Sequence, residues 1–126
     1  MAEKIKHVHG DTKPALVVSL TDASSGGALG LNGATVKLYF RAVGQTTILA
    51  TVTAQLLPGV VLSDGTINSA SPYNTLGAGG RCQFNWGATD LNQDAGDYEG
   101  EIEITYPDGT IQTVYDLLKF KLRKDF

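Results

Sequence analysis

Few residues of this 126-residue chain have the types and spacing that catalysis needs. Its two histidines, His7 and His9, lie close to the amino terminus, far in sequence from its one cysteine, Cys82. A Ser-His-Asp or Cys-His centre needs a base within hydrogen-bonding reach of its nucleophile, so the amino-terminal segment would have to fold over a distant residue. The sequence shows neither a nucleophile-elbow motif nor a metal-ligand cluster. We therefore expect a protein that is not an enzyme and has no cofactor.

Two patterns bear on metal binding. Asp90, Asn92 and Asp94, with Glu101 at the twelfth position, match the ligand spacing of a calcium loop. The sixth position is Ala95, where such loops have glycine, and no flanking helices are predicted. The alternative interpretation is that Asp90 and Asp94 accept hydrogen bonds from backbone donors of their own loop.

The two histidines form the second pattern. His7 and His9 alternate with other residues and would share one face of a strand, but a third metal ligand is missing. We expect both to be exposed terminal histidines.

Composition and charge restrict the class of partner. The formal net charge of -3 gives no general positive field, so nucleic acid and anionic membranes are not expected partners. No stretch approaches the roughly 18 to 20 apolar residues that a membrane span needs. A single cysteine excludes an intrachain disulfide, and Cys82 alternates with Phe84 and Trp86 as a small buried hydrophobic residue of the core would. The sequence favours a soluble protein made in the cytoplasm.

The elements that would position these residues are strands. Apolar and polar residues alternate with a period of two, and no helix-length 3.6-residue period is present. Strands are predicted over residues 16–20, 34–41, 47–53, 81–86, 98–106, 110–115 and 118–123. About seven short strands separated by turn signals predict an all-β fold, an immunoglobulin-like antiparallel β-sandwich.

A β-hairpin is the clearest of these elements. Its first strand has a row of glutamates, Glu99, Glu101 and Glu103, on the face expected to meet water. The sequence Pro107-Asp108-Gly109 then predicts a turn. Lys119, Lys121 and Arg123 of the last strand would lie beside the glutamates and pair with them.

A structural corner is predicted at the start of this hairpin. Asp94, Gly96 and Tyr98 match the D-x-G-x-Y pattern that opens the penultimate strand of immunoglobulin-like sandwiches. In that pattern the tyrosine hydroxyl donates a hydrogen bond back to the preceding loop.

The remaining segments suggest contacts with other proteins. Residues 1–9 are predicted to be an amino-terminal arm or an edge strand, and residues 10–126 a single sandwich domain with a long inserted loop at 54–80. Gly77-Ala78-Gly79-Gly80, at the end of that loop, has the composition of a flexible linker. A loop of this length is either an interaction element or passive filler. The candidate contact residues are Ile5, His7, Leu57, Val60, Tyr73 and Leu76.

Four short segments, taken in order, resemble a known family. They are Gly10-Asp11-Thr12-x-Pro14, Gly33-Ala34-Thr35-Val36, Asp94-Ala95-Gly96-Asp97-Tyr98-x-Gly-Glu101 and Tyr106-Pro107-Asp108-Gly109-Thr110-x-x-Thr113. Their order and spacing resemble the N-terminal immunoglobulin-like domain of upper baseplate proteins of tailed bacteriophages. The resemblance implies a virion structural protein, present in several copies, that docks other tail proteins.

The expected function is therefore that of a tail or baseplate assembly component located in the virion. Its partners would be other phage structural proteins or further copies of itself. A capsid decoration or neck protein is an alternative of the same class. An alternative of another class is a carbohydrate- or host-surface-binding module, for which Tyr73 is the better contact candidate and Trp86 a core residue.

Overall fold

The fold is all-β. A computed structural model of the chain describes residues 4–22 and 24–126, and every regular element in these ranges is a strand. The strands are β1 (Ile5–Val8), β2 (Leu16–Ser19), β3 (Thr35–Ala42), β4 (Ala50–Thr53), β5 (Gln55–Leu56), β6 (Val60–Val61), β7 (Ile67–Asn68), β8 (Arg81–Phe84), β9 (Gly96–Thr105), β10 (Ile111–Thr113) and β11 (Leu118–Arg123).

Two main sheets contain most of the strands. The larger has the order β1-β11-β9-β3-β4, and β10 pairs with the far end of β9. The smaller has the order β2-β8-β5, and β6 pairs with β7 in a separate hairpin. Among the described strands, all pairings are antiparallel except that of β1 with β11, which is parallel and places Ile5 opposite Phe120. The prediction of a wholly antiparallel fold is wrong at this one pairing.

One hydrophobic core draws on both main sheets. Alternate residues of β3 and β9 point inward, as the period of two predicts, and so do Cys82 and Phe84 of β8. The ring of Phe40 lies at the centre, with centroids 5.5 Å from Trp86, 5.1 Å from Tyr98 and 5.2 Å from Phe120. This shared core is compatible with the predicted β-sandwich.

The described strands number eleven, where about seven were expected. The four additional strands are β1 and the three short strands β5, β6 and β7, which lie inside the predicted loop at 54–80. A strand of two residues contains no repeat of an alternating pattern, so these strands left no periodic signal in the sequence. The start of β4 at Ala50, rather than at Thr47, is a smaller difference.

The glycine-rich end of the 54–80 segment is not a free linker. Gly77, Gly79 and Gly80 are buried, Leu31 N donates to Gly77 O at 2.9 Å, and Leu20 N donates to Gly80 O at 2.8 Å. A Cβ on Gly79 would lie 2.7 Å from the carbonyl carbon of Gly59, so only glycine lets these two backbone segments approach. The prediction of a flexible linker is wrong because close packing, not flexibility, explains these glycines.

The amino-terminal segment is an edge strand that packs on the chain's own core. In the parallel register His7 lies opposite Leu122, so both side chains point inward. His7 is only 6% exposed and its ring meets that of Trp86 edge-on at 5.3 Å. The expectation that His7 is exposed is wrong, whereas His9 is half-buried with Nδ1 2.5 Å from Gln93 O.

The glutamate row on β9 is only partly in water. Glu101 is exposed and Glu103 half-buried, but Glu99 is buried on the outer face of the sheet. Its carboxylate accepts a hydrogen bond from Arg41 Nε at 2.8 Å, and Lys119 Nζ lies 3.8 Å away. The prediction that Glu99 is solvated is therefore wrong, because the side chains of two neighbouring strands cover it.

Candidate interaction surface

The predicted corner has the expected hydrogen bond. Tyr98 Oη donates to Asp94 O at 2.5 Å, and the ring of Tyr98 stacks on Phe40 inside the core. Burial, and secondarily the charge of Asp94, raises the pKa of the Tyr98 hydroxyl, so it remains a protonated donor. Gly96 begins β9 with a φ of 154°, a value that side chains disfavour. These residues position the strand and form no ligand site of their own.

The calcium pattern is not gathered into a site. Asp90 Oδ2 accepts a hydrogen bond from Gly87 N at 2.6 Å, the backbone role that the alternative interpretation gives it. Asn92 and Asp94 are exposed, and Glu101 points to solvent from β9. Within residues 4–22 and 24–126, no three His, Cys, Asp or Glu side chains are placed to hold a metal ion.

The buried cysteine is held in its protonated form. Burial raises the pKa of Cys82 to about 11, so the thiolate that a nucleophile requires is not formed near neutral pH. Cys82 therefore acts as a core residue, as its alternation with Phe84 indicates.

The six predicted contact residues occupy different environments. Ile5 and His7 pack on the chain's own core, so they reach a partner only if β1 is exchanged between copies. Leu57, Val60 and Tyr73 are half-buried, and Leu76 is 56% exposed. Of the six, Leu76 is the side chain most available for contact.

The most exposed apolar cluster of the 54–80 segment was not predicted. It lies on the hairpin formed by β6 and β7, which we call the β6–β7 hairpin and which spans residues 60–68. Val61 and Ile67 lie opposite each other, so their side chains share one face. Leu62 follows Val61, and alternation places its side chain on the other face of the hairpin. The exposed fractions are 43% for Val61, 50% for Ile67 and 43% for Leu62. The signal that could have found them is the run Val60-Val61-Leu62 before a Ser-Asp-Gly turn.

A hydrogen-bonded turn closes the tip of this hairpin. Asp64 Oδ1 accepts from Thr66 N at 3.0 Å and from Thr66 Oγ1 at 2.6 Å. These hydrogen bonds hold the pKa of Asp64 below its ordinary value, because they stabilise the carboxylate. The conformation of the tip is thus fixed by hydrogen bonds within the turn, although its side chains are exposed.

The base of the hairpin is fixed to the body of the fold. Gly59 N donates to Tyr73 O at 2.7 Å, and Arg81 Nη1 donates to Pro58 O at the same distance. A Cβ on Gly59 would lie 2.6 Å from Ile67 Cγ2, so the hairpin packs directly onto this glycine. The exposed apolar residues are therefore presented on an anchored base.

The aromatic residues do not form a sugar-stacking platform around Trp86. That side chain is 5% exposed and packs on Phe40 and Phe120, as the strand pattern predicted. The most exposed tyrosine is Tyr115, at 95%, which the sequence did not single out.

The chain matches no protein-family model, and neither a curated protein nor a solved structure is significantly similar to it. No helix in the described ranges has the length and apolar character needed to cross a membrane.

Proposed function

We propose that the chain is a structural component of a bacteriophage virion, in the tail or baseplate, and that it acts through protein–protein contacts. Two observations support this proposal. Four segments of the sequence, in order, resemble the phage baseplate domain, and the fold presents exposed apolar residues on an anchored hairpin. The β6–β7 hairpin is the observation that carries it. It concentrates three exposed apolar residues in nine positions, two of them side by side on one face, and concentrated apolar surface marks contact sites whereas single exposed residues are common.

The strand order supports an immunoglobulin-like sandwich. The smaller sheet, β2-β8-β5, corresponds to strands B-E-D of such a domain, and β11-β9-β3-β4 corresponds to G-F-C-C′. Tyr98 at the start of the F-like strand, bonded back to Asp94, is a second hallmark. The large buried tryptophan, by contrast, follows β8 rather than lying on β3, where Phe40 takes the central place.

The size of the apolar cluster indicates how such a contact would work. Burying what is exposed of Val61, Leu62 and Ile67 would contribute about 2–4 kcal/mol. A free energy of that size corresponds to no better than about millimolar affinity, even before the entropy of association is subtracted. The hairpin therefore needs additional contacts, or many copies side by side, as a symmetric particle provides.

The proposal is tested on virus particles. Particles released by the source strain are purified, separated into heads and tails, and searched for peptides of this chain by mass spectrometry. Tagged copies of three forms are then supplied during particle assembly: the unchanged chain, Ile67→Asp and Ile111→Asp. Ile111 is the matched control, since it is an exposed isoleucine (64%) on the short strand of a different hairpin.

We expect the unchanged chain and Ile111→Asp in tails, and Ile67→Asp reduced at least about tenfold, because a buried unpaired carboxylate would cancel the apolar contact. Leu62→Asp serves as the second variant, and circular dichroism confirms that each variant is folded. Absence of the chain from particles, or equal incorporation of the folded Ile67→Asp and Leu62→Asp variants, would contradict the proposal.

A further inference from the structure

Strand β4 is a free edge of the larger sheet. In the described part of the chain it pairs only with β3. Residues 46–53, which read TTILATVT, contain no charge, no proline and no glycine, and most are β-branched. Exposed edges of natural sheets are often protected by lysine, proline, a bulge or a short strand. A bulge precedes β4, where Leu49 N donates to Phe40 O at 2.8 Å beside the pair of Ala50 with Phe40, but Ala50–Thr53 itself contains no lysine, proline or bulge.

The opposite edge of the same sheet is protected. Lys6 on β1 is exposed and lies directly opposite Lys121, so two like charges flank that edge. A second copy brought to β1 would add further lysines to them, which opposes pairing. Of these two edges, β4 is therefore the one at which no charged residue of the edge strand opposes pairing.

The β2 edge of the smaller sheet is also obstructed. Pro14 lies two residues before β2. At the other end of β2, Leu29 N donates to Leu20 O at 3.0 Å and Thr21 pairs with Ala28. Strand β2 is therefore capped by the chain's own backbone, whereas no described backbone bond covers β4.

The ladder between β3 and β4 defines which groups point outward. Ala54 N donates to Val36 O at 2.8 Å, so in an antiparallel ladder the alternate residue Val52 also pairs toward β3. The backbone N–H and C=O groups of Thr51 and Thr53 then point away from the sheet. Their side chains lie on the exposed outer face.

We infer that a second copy of this chain pairs with β4, strand to strand and antiparallel, about a two-fold axis beside Val52. Thr51 of each copy then lies opposite Thr53 of the other, and two outward-pointing backbone pairs form hydrogen bonds. The inference rests on the proposed function, since it supplies the additional contact that the hairpin needs. The contact is isologous and closed, so it gives a dimer rather than a fibre.

The test is light scattering on the purified full chain over a concentration series from micromolar to millimolar, with Thr51→Lys and Thr35→Lys compared. Thr35 is the matched control, an exposed threonine on the internal strand β3. We expect the unchanged chain and Thr35→Lys to approach twice the chain mass. Thr51→Lys should weaken the dimer at least about tenfold, because it places two lysines across the axis.

Amide hydrogen exchange on the unchanged chain gives a second readout that needs no variant. The amides of Thr51 and Thr53 should exchange more slowly as concentration rises, while exposed amides of the β6–β7 hairpin should not change. A monomer at every concentration, a Thr51→Lys dimer as stable as the unchanged one, or concentration-independent exchange at Thr51 would overturn the inference. Those results would leave the incorporation test with Ile67→Asp unaffected, so the two proposals fail separately.

Discussion

His7 is a buried histidine whose protonation would destabilise the fold. Neither of its ring nitrogens has a hydrogen-bond partner in the described residues, although both are buried beside Trp86 and Phe120. Burial lowers the pKa of His7 from 6.5, and the charge of Asp11 offsets only part of this effect. The ring is therefore buried in its neutral form, and protonation opposes folding.

The free energy of unfolding should consequently depend on pH. Well above pH 6.5, His7 is neutral in both the folded and the unfolded chain. As the pH falls through 6.5, the unfolded chain binds a proton at His7, whereas burial disfavours this proton in the folded chain. Stability should then fall as the pH decreases from 7 to 5, with a slope of at most about 1.4 kcal/mol per pH unit. Urea unfolding of His7→Leu should show a flatter pH dependence over this window. His9→Leu is the control, and a slope in His7→Leu equal to that of the unchanged chain would contradict the argument.

Sequence patterns predicted some residues well and others not at all. The bond from Tyr98 to Asp94 follows from a local five-residue pattern, and the burial of Cys82 and Trp86 follows from alternation. The burial of Glu99 does not, because it depends on Arg41 and Lys119, which come from two other strands. Contacts between distant segments leave no local periodicity.

The close approach of two backbone segments defines the element that carries the hairpin. At Gly79 a Cβ would meet the backbone of Gly59 and Val60, with 2.8 Å to the Cα of Val60. Because these neighbours are main-chain atoms, which cannot rotate away as the end of a side chain can, an added Cβ would force the base of the hairpin to move. The packing of this element therefore depends on glycine at position 79.

Gly79→Ala should lower the free energy of unfolding by about 2–3 kcal/mol, as overpacking of a well-packed site does. Gly30→Ala is the control, because no atom of the described residues lies within 4 Å of its added Cβ and its φ is not positive. That control should be neutral or stabilise by up to about 1 kcal/mol through the unfolded chain. Equal urea midpoints for the two variants would show that the segment is as loose as its composition suggests.

Among the strands, too, some could be predicted from the sequence and others could not. Strands of four residues or more, such as β3, β9 and β11, follow from the period of two. The parallel pairing of β1 and the pairing of β5 do not, because their partners lie far along the chain. Strands β6 and β7 pair locally but are too short to show a repeat. The loop at 54–80 was singled out by length alone, and that sufficed to find the segment but not its exposed residues.

At the scale of the whole molecule, charge and apolar surface are unevenly distributed. Charged residues cover the outer face of the larger sheet, whereas strands β4, β6 and β7 contain none, and the one charged residue of the β6–β7 hairpin is Asp64 at its tip. The net charge of -3 does not reveal this uneven distribution, because it adds up the charges without regard to where they lie. The β6–β7 hairpin and the β4 edge are the two surfaces that we propose for contacts with other proteins.

The central claim is that the β6–β7 hairpin is buried by a neighbouring protein in the assembled particle. Its most direct test compares amide hydrogen exchange of the free chain with that of the chain in purified tails. We predict slower exchange over residues 60–68 in the particle, with residues 111–113 of β10 unchanged as the internal reference. Exchange over residues 60–68 that is as fast in the particle as in the free chain would contradict the claim.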